Sequence, residues 1–168
     1  MKKLIAYTLW IAIVLAFAAC DSQDDQSGSP MGDPMNDMDQ SSFLADVEGI
    51  SLNADVIAVT ILSFGAEEVI QIVAQNTTTR QILTLQFPKS IAAGSHTYDM
   101  IVAGDAVVGV YIPDSNQTVS FISQSGILNI THYPSSGEEI EGNTVFTLAN
   151  PTGDGVIEVT FCEFSIQL

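Results

Sequence analysis

Residues 81–88 read QILTLQFP, and this short stretch predicts the fold class. The apolar side chains of Leu83, Leu85 and Phe87 alternate with polar ones, so along an extended chain they all point to the same face. One apolar and one polar face is typical of an antiparallel strand that packs on a core with one side and meets water with the other. The stretch 128–131, LNIT, repeats the alternation.

Residues 41–168 share this texture, because they are rich in Val, Ile, Thr and Phe and carry turn-forming residues at short intervals. Strands separated by turns every ~8–12 residues are typical of all-β sandwiches and barrels. We predict strands at Phe43–Val47, Val56–Phe64, Val69–Gln75, Gln81–Phe87, Thr97–Val102, Val107–Ile112, Thr118–Ser123, Gly126–Tyr133, Thr144–Ala149 and Gly155–Ile166. The segment is long enough for one domain with its own core. We therefore expect a single all-β domain, an antiparallel β-sandwich or barrel-like sandwich of about eight to ten strands.

Three segments of this strand pattern allow more than one interpretation. The apolar residues of Glu67–Gln75 would also line one face of a helix, but their β-branched content favours a strand. Residues 124–126, Gln-Ser-Gly, are interpreted as a turn that enters a strand. In the last strand the alternation changes phase at Cys162–Glu163, which predicts a bulge there.

Short motifs along the domain resemble a set of small bacterial lipoproteins of unknown function. The motifs are Phe43-x-Ala45-x-Val47-x-Gly49, Leu83-Thr84-Leu85-x-Phe87-Pro88, Ser125-Gly126-x-Leu128-x-Ile130-Thr131 and Ile140-x-Gly142-x-x-x-Phe146. The similarity extends over most of residues 43–166. The resemblance implies a β-sandwich lipoprotein, and it brings no activity and no catalytic residues with it.

The first nineteen residues, 1–19, have the organisation of a secretory signal peptide. Lys2 and Lys3 supply the positive start, an apolar run follows to Phe17, and small residues precede Cys20. The run is shorter than the ~20 apolar residues that a membrane-spanning helix needs. We expect this segment to be removed from the mature chain.

Residues 17–20, Phe-Ala-Ala-Cys, resemble the lipobox of bacterial lipoproteins. The resemblance implies that the thiol of Cys20 receives a diacylglycerol, that the signal is cut before it and that the new amine is acylated. An ordinary signal peptide with an incidental cysteine is the alternative. Since each buried methylene contributes roughly 0.8 kcal/mol and a single acyl chain holds only weakly, two or three chains give stable attachment to a membrane.

Residues 20–40 hold the lipidated cysteine and an acidic tether with six Asp and no basic residue. Low hydropathy with charge of one sign predicts a disordered segment. Acid directly after Cys20 resembles the export signal of surface lipoproteins in some Gram-negative groups, whereas in enteric bacteria it resembles an inner-membrane retention signal. We expect the outer membrane with the domain at the cell surface, and the periplasmic face is the alternative.

The charge of the chain excludes nucleic acid as a partner. Without the signal peptide, twenty acidic residues face only Arg80 and Lys89, a net charge of −18. Such a surface repels phosphate backbones and anionic headgroups. A divalent cation suits it better, and the candidate Ca²⁺ ligands are loop oxygens of Asn150, Asp154, Asp114 and Asn116. None of them follows the spacing of a dedicated calcium loop, so we expect no metal and no cofactor.

No residue pattern points to catalysis. A Gly-x-Ser-x-Gly elbow is missing from the sequence, and Cys162 is interpreted as a small buried residue rather than a nucleophile. Fourteen acidic residues lie in 41–168, so carboxylates alone do not identify a glycosidase pair. We expect a non-enzymatic binding or structural module with an envelope protein or a glycan as partner, and the alternative is a glycan-acting hydrolase that uses two carboxylates.

The lipid assignment makes a direct prediction. Changing Cys20→Ala removes the only thiol at the end of the signal, so incorporation of labelled palmitate is expected to stop and the precursor to accumulate or be released. Changing Cys162→Ala is the matched control, and labelling of that variant is expected to equal wild type. Persistent labelling of the Cys20→Ala protein would show that the anchor lies elsewhere.

Overall fold

The structure, a computed structural model, describes residues 41–98, 106–115, 119–133, 138–153 and 155–168. The strands are β1 Ser42–Val47, β2 Ile50–Asn53, β3 Val56–Phe64, β4 Glu67–Asn76, β5 Gln81–Pro88, β6 Gly94–Thr97, β7 Val108–Ile112, β8 Phe121–His132, β9 Glu139–Ala149 and β10 Val156–Gln167. They form one antiparallel sheet in the order β2-β1-β10-β9-β8-β7-β5-β4-β3, and β6 pairs with β8. The predicted all-β antiparallel domain is confirmed. Within these described segments, no helix is long and apolar enough to cross a membrane.

The sheet curls so that its two halves face each other across one hydrophobic core. The ring of Phe164 on β10 lies 6.3 Å from that of Phe43 on β1 and 6.4 Å from that of Phe87 on β5. Strands β1 and β5 lie far apart in the order of the sheet, so their side chains meet on one ring only because the sheet folds over. All three rings are buried.

A connection of two residues joins the ends of the curled sheet. β2 pairs with β1 and β3 pairs with β4, yet only Ala54 and Asp55 separate β2 from β3. The amide of Ala54 donates to the carbonyl of Phe43 at 3.1 Å, and the amide of Asp55 donates to the carbonyl of Gln75 at 3.0 Å. The chain therefore leaves one half of the sheet and enters the other within two residues.

Side chains reinforce this connection. The carboxylate of Asp55 accepts hydrogen bonds from the amide of Thr77 at 2.9 Å and from its hydroxyl. The amide group of Asn76 donates to the carbonyl of Asn53 at 2.8 Å. Hydrogen bonds from the hydroxyl and then the amide of Thr77 lower the pKa of Asp55.

The tight hairpin between β1 and β2 is built as its turn residues require. Glu48 and Gly49 connect β1 to β2 with φ of 55° and 77°. Positive φ at both central residues is the geometry of a two-residue hairpin loop whose twist matches the flanking strands. Asp46 fixes the turn, because its carboxylate accepts from the amide of Gly49 at 2.9 Å.

Most of the predicted strands are confirmed, including the strand over Glu67–Gln75 that competed with a helix. The expected bulge is confirmed as well, since the register of β10 against β9 shifts between Val159 and Glu163. The first is rich in β-branched residues, and the second shows a clear change in the apolar–polar alternation.

Three strand predictions are wrong in detail. β2 was not predicted, because its four residues are too few to show an alternation. Residues 124–126 form no turn: they lie inside the single strand β8, whose register shifts between Ser123 and Ser125. The strand predicted at Thr97–Val102 ends at Thr97, since β6 covers Gly94–Thr97, and residues 99–102 lie outside the described part of the chain.

The stretch that predicted the fold also departs from its pattern. Leu83, Leu85 and Phe87 lie in the core as expected, but Thr84 and Gln86 on the opposite face are buried too. The prediction that this strand meets water on one side is therefore wrong. β5 lies between β4 and β7 near the middle of its half of the sheet, and both of its faces are covered.

The Asp55 carboxylate gives the domain an expected pH dependence. A lowered pKa in the folded state means that the carboxylate stabilises the fold above its ordinary pKa and that this contribution is lost as the pH falls through the lowered pKa. At neutral pH the Asp55→Asn variant is expected to unfold at lower denaturant concentration than wild type. In acid the two midpoints are expected to converge.

The control is a double-mutant cycle with Thr77→Ala, measured by denaturant unfolding. Since Thr77 is the partner of the carboxylate, the effects of the two substitutions are expected to be less than additive. Additive effects, or an Asp55→Asn deficit that does not change with pH, would contradict a specific role for this contact.

Candidate functional site

A groove of about 500 Å³ lies where β1, β10, β9 and β8 run side by side. Polar side chains provide hydroxyl, amide and carboxylate groups around it: Ser42, Ser165, Thr131, Asn143, Glu141 and Glu163. Leu44 adds an exposed apolar side chain. The volume lies in the range of ligand sites, and the strands on which the groove lies are rigid supports.

The pairing of the strands brings two carboxylates together in this groove. Glu163 of β10 lies opposite Asn143 of β9, and Ser165 lies opposite Glu141. The two glutamates are thus diagonal neighbours on adjacent strands, a relation that places Cα atoms roughly 7–8 Å apart and Cβ atoms somewhat closer. His132 of β8 lies opposite Glu141 on its other side.

Neither Arg80 nor Lys89 balances the carboxylates of the groove, because each contacts another acid. Arg80 contacts Asp114 with 3.5 Å between Nε and Oδ1, and Lys89 contacts Glu68 with 2.9 Å between Nζ and Oε2. The hydrogen bond and the charge of Glu68 raise the pKa of Lys89. Since Arg80 and Lys89 are the only Lys or Arg residues beyond the predicted signal peptide, a cation for the groove has to come from outside the domain.

The floor of the groove depends on a glycine. A Cβ atom at Gly142 would lie 2.6 Å from Cζ of Phe164 and 2.7 Å from the carbonyl oxygen of Asn129. Gly142 therefore lets the Phe164 ring lie directly beneath β9. The same glycine belongs to the Ile140-x-Gly142 motif of the sequence, whose physical reason is this close approach.

Of the four candidate calcium ligands, the two that the structure describes, Asn150 and Asp114, lie in different loops. Asn150 is engaged within its own turn, where its side-chain oxygen accepts from the amide and the hydroxyl of Thr152 at 2.9 and 3.0 Å. Asp114 follows β7 in a different loop and contacts Arg80. Asp154 and Asn116 lie outside the described residues. Among the residues that are described, no three His, Cys, Asp or Glu side chains come together.

Cys162 is a buried side chain of the core, as predicted. Burial raises the pKa of its thiol, so the thiolate that a nucleophile requires is disfavoured. Of the two histidines, His132 is exposed on β8, and His96 places Nε2 2.8 Å from the carbonyl oxygen of Ala92. Cys20, the predicted lipidation site, lies outside the described residues.

Tyr98 and Tyr111 pack in the core and offer no platform for sugars. Tyr98 is buried, stacks on Phe146 with 4.6 Å between ring centroids and shares a hydrogen bond of 2.8 Å with the hydroxyl of Thr144. Burial raises the pKa of Tyr98. Tyr111 is buried too and accepts a hydrogen bond of 2.7 Å from the amide group of Gln81.

Sequence reasoning missed a row of buried polar groups on the other half of the sheet. Gln71 of β4 lies opposite Gln86 of β5, and Thr84 lies two residues before Gln86 on the same face. All three are at most 1 % exposed, and none of their side-chain polar atoms has a hydrogen-bond partner in the described structure. A buried amide left without any partner costs about 1–3 kcal/mol. The sequence gives no sign of them, because Gln and Thr in an alternating strand indicate a solvated face.

Comparison with known protein families, with curated proteins and with solved structures finds no match to this chain.

The close contact at Gly142 predicts a loss of stability on substitution. Gly142→Ala would push the Phe164 ring into the core or part β9 from β8, and overpacking of this kind costs about 1–3 kcal/mol. The free energy of unfolding, from denaturant titration, measures it. Gly153→Ala is the control, since its nearest atom would lie at an ordinary 3.5 Å, and it is expected to change stability by less than about 0.5 kcal/mol. Equal effects at the two glycines would contradict this account of the groove floor.

Proposed function

We propose that this chain is a lipid-anchored protein of the bacterial cell envelope whose β domain is a non-enzymatic binding module. The observation that carries the proposal is the acidic groove of Glu141 and Glu163 on the outer side of the sheet. The anchor is the lipid on Cys20, and the Asp-rich segment 21–40 is the tether between membrane and domain. We place the protein at the outer membrane facing outward, with the periplasmic face as the alternative.

The chemistry of the groove favours a partner with a positively charged segment. Two carboxylates lie within reach of one ligand, and both basic residues of the domain are engaged with other acids. Lys or Arg of an envelope protein would bring the missing cation and could lay its apolar stem along Leu44. Charged hydrogen bonds to carboxylates contribute about 1.5–3 kcal/mol each, enough to fix the register of a bound segment.

A glycan-acting hydrolase is the second candidate, because the groove does bring two carboxylates to one surface. Glycosidases use carboxyl groups about 5–9.5 Å apart, a range that diagonal neighbours can reach. Their general acid is usually shielded from water, since burial is what keeps a carboxyl group protonated near neutral pH. Glu163 is exposed and Glu141 is half-buried, which favours binding over acid catalysis.

The test is capture from intact envelope with the lipidated protein as bait. Glu141→Gln with Glu163→Gln is expected to lower retention of the partner at least tenfold, because a tenfold change corresponds to about 1.4 kcal/mol and the loss of one charged hydrogen bond exceeds that. Retention by wild type is expected to fall as salt rises.

The control variant is Glu67→Gln with Glu158→Gln, which changes the net charge equally on two exposed glutamates that do not line the groove. Its retention is expected to match wild type. An equal loss of retention in both variants would show that the partner responds to the net charge of the domain and not to the groove. Release of shortened glycan by wild type, abolished by Glu163→Gln alone, would favour the hydrolase instead.

A further inference from the structure

In the part of the chain that the structure describes, the strand at one end of the sheet forms a long free edge. β3, Val56–Phe64, pairs with β4 along all nine residues, and with no other strand in the described part of the chain. In an antiparallel pair, alternate residues direct their N–H and C=O groups away from the partner strand. The outer side of β3 thus presents a row of backbone donors and acceptors.

β3 carries none of the features that usually protect an edge strand. Its sequence, VIAVTILSF, has no charge, no proline and no glycine, and its pairing with β4 has no bulge. Val56, Ile61 and Phe64 are 45 %, 46 % and 37 % exposed. Long, uncharged, apolar edges of this kind pair with a further strand. At the other end of the sheet, β2 has only four residues, a length that itself limits such pairing.

The residues of β3 are complementary to a second copy of themselves. In an antiparallel pair centred on Thr60, that residue would meet its own copy across a two-fold axis. The remaining pairs would be Val59 with Ile61, Ala58 with Leu62, Ile57 with Ser63, and Val56 with Phe64. Every pair is apolar or carries a hydroxyl, and no like charges face each other.

We propose that β3 pairs antiparallel with β3 of a second copy of this chain, centred on Thr60, so that two domains share one continuous sheet. The charge distribution favours this partner. With a net charge of −18 outside the signal peptide, two copies repel each other over most of their surfaces, and β3 is a neutral strip on which they can meet. The carboxylate of Asp55, which precedes β3, is held by Thr77.

The register can be tested in cells that express the full, membrane-attached chain. Antiparallel partners have Cα atoms about 4.5–5.5 Å apart, within the span of a disulfide. Thr60→Cys is therefore expected to give at least fivefold more reducible dimer on non-reducing gels than Ile127→Cys, an exposed position on β8. Cys162 is buried and the thiol of Cys20 carries the proposed lipid, so wild type is expected to give a low background. Equal yields at positions 60 and 127 would overturn the proposal.

The association itself is tested by light scattering of the detergent-extracted full chain over a range of concentrations. Wild type is expected to be dimeric at tens of micromolar. Ile61→Lys is expected to raise the dissociation constant at least tenfold, whereas Ile127→Lys, with 50 % exposure against 46 % for Ile61, leaves it unchanged. A monomeric wild type, or a dimer indifferent to Ile61→Lys, would overturn the proposal. The disulfide result stands by itself if the lysine variant fails to fold.

Discussion

The two-residue connection between β2 and β3 is the constraint on which the rest of the domain depends. Ala54 and Asp55 join strands that occupy opposite ends of the sheet order, so the sheet cannot lie open. Curling creates the inner face, where Phe164 touches rings from both halves. The backbone bonds of these two residues and the contact of Asp55 with Thr77 hold the ends together. A core of this kind results from closure, and not from stacking two independent sheets.

The same closure explains the two surfaces to which functions are assigned. Because the inner faces are used for the core, the outward residues of β10 and β9 are free to be polar, and Glu163 and Glu141 come together there. At Ala54 and Asp55 the chain passes from β2, which pairs with β1, to β3, which pairs with β4. The outer edge of β3 is thereby left without a neighbour in the described structure. The groove and the free edge thus both follow from the short connection between β2 and β3.

How much could be predicted from sequence depends on whether the cause is local. Leu83, Leu85 and Phe87 identify an inner face because alternation is a property of the strand alone, and the core confirms it. The same alternation wrongly predicts that Thr84 and Gln86 meet water. Their burial depends on what covers the sheet and not on their neighbours in sequence. β2 is too short to show a pattern, and the Ser-Gly pair within β8 imitates a turn although it accommodates a shift of register.

The groove lies further beyond sequence reasoning, because its carboxylates are brought together by cross-strand pairing over some twenty residues of chain. As two of fourteen acids in the sequence they do not indicate a site. Their position on adjacent strands, with Arg80 and Lys89 paired to other acids, shows that a bound partner would have to supply the cation. The distribution of charge then separates the two surfaces physically. An acidic groove attracts a basic segment and repels another copy of this domain, while the uncharged β3 edge has no means of attracting a basic segment over distance. A partner and a second copy would therefore occupy different surfaces, so binding in the groove and pairing at β3 need not compete.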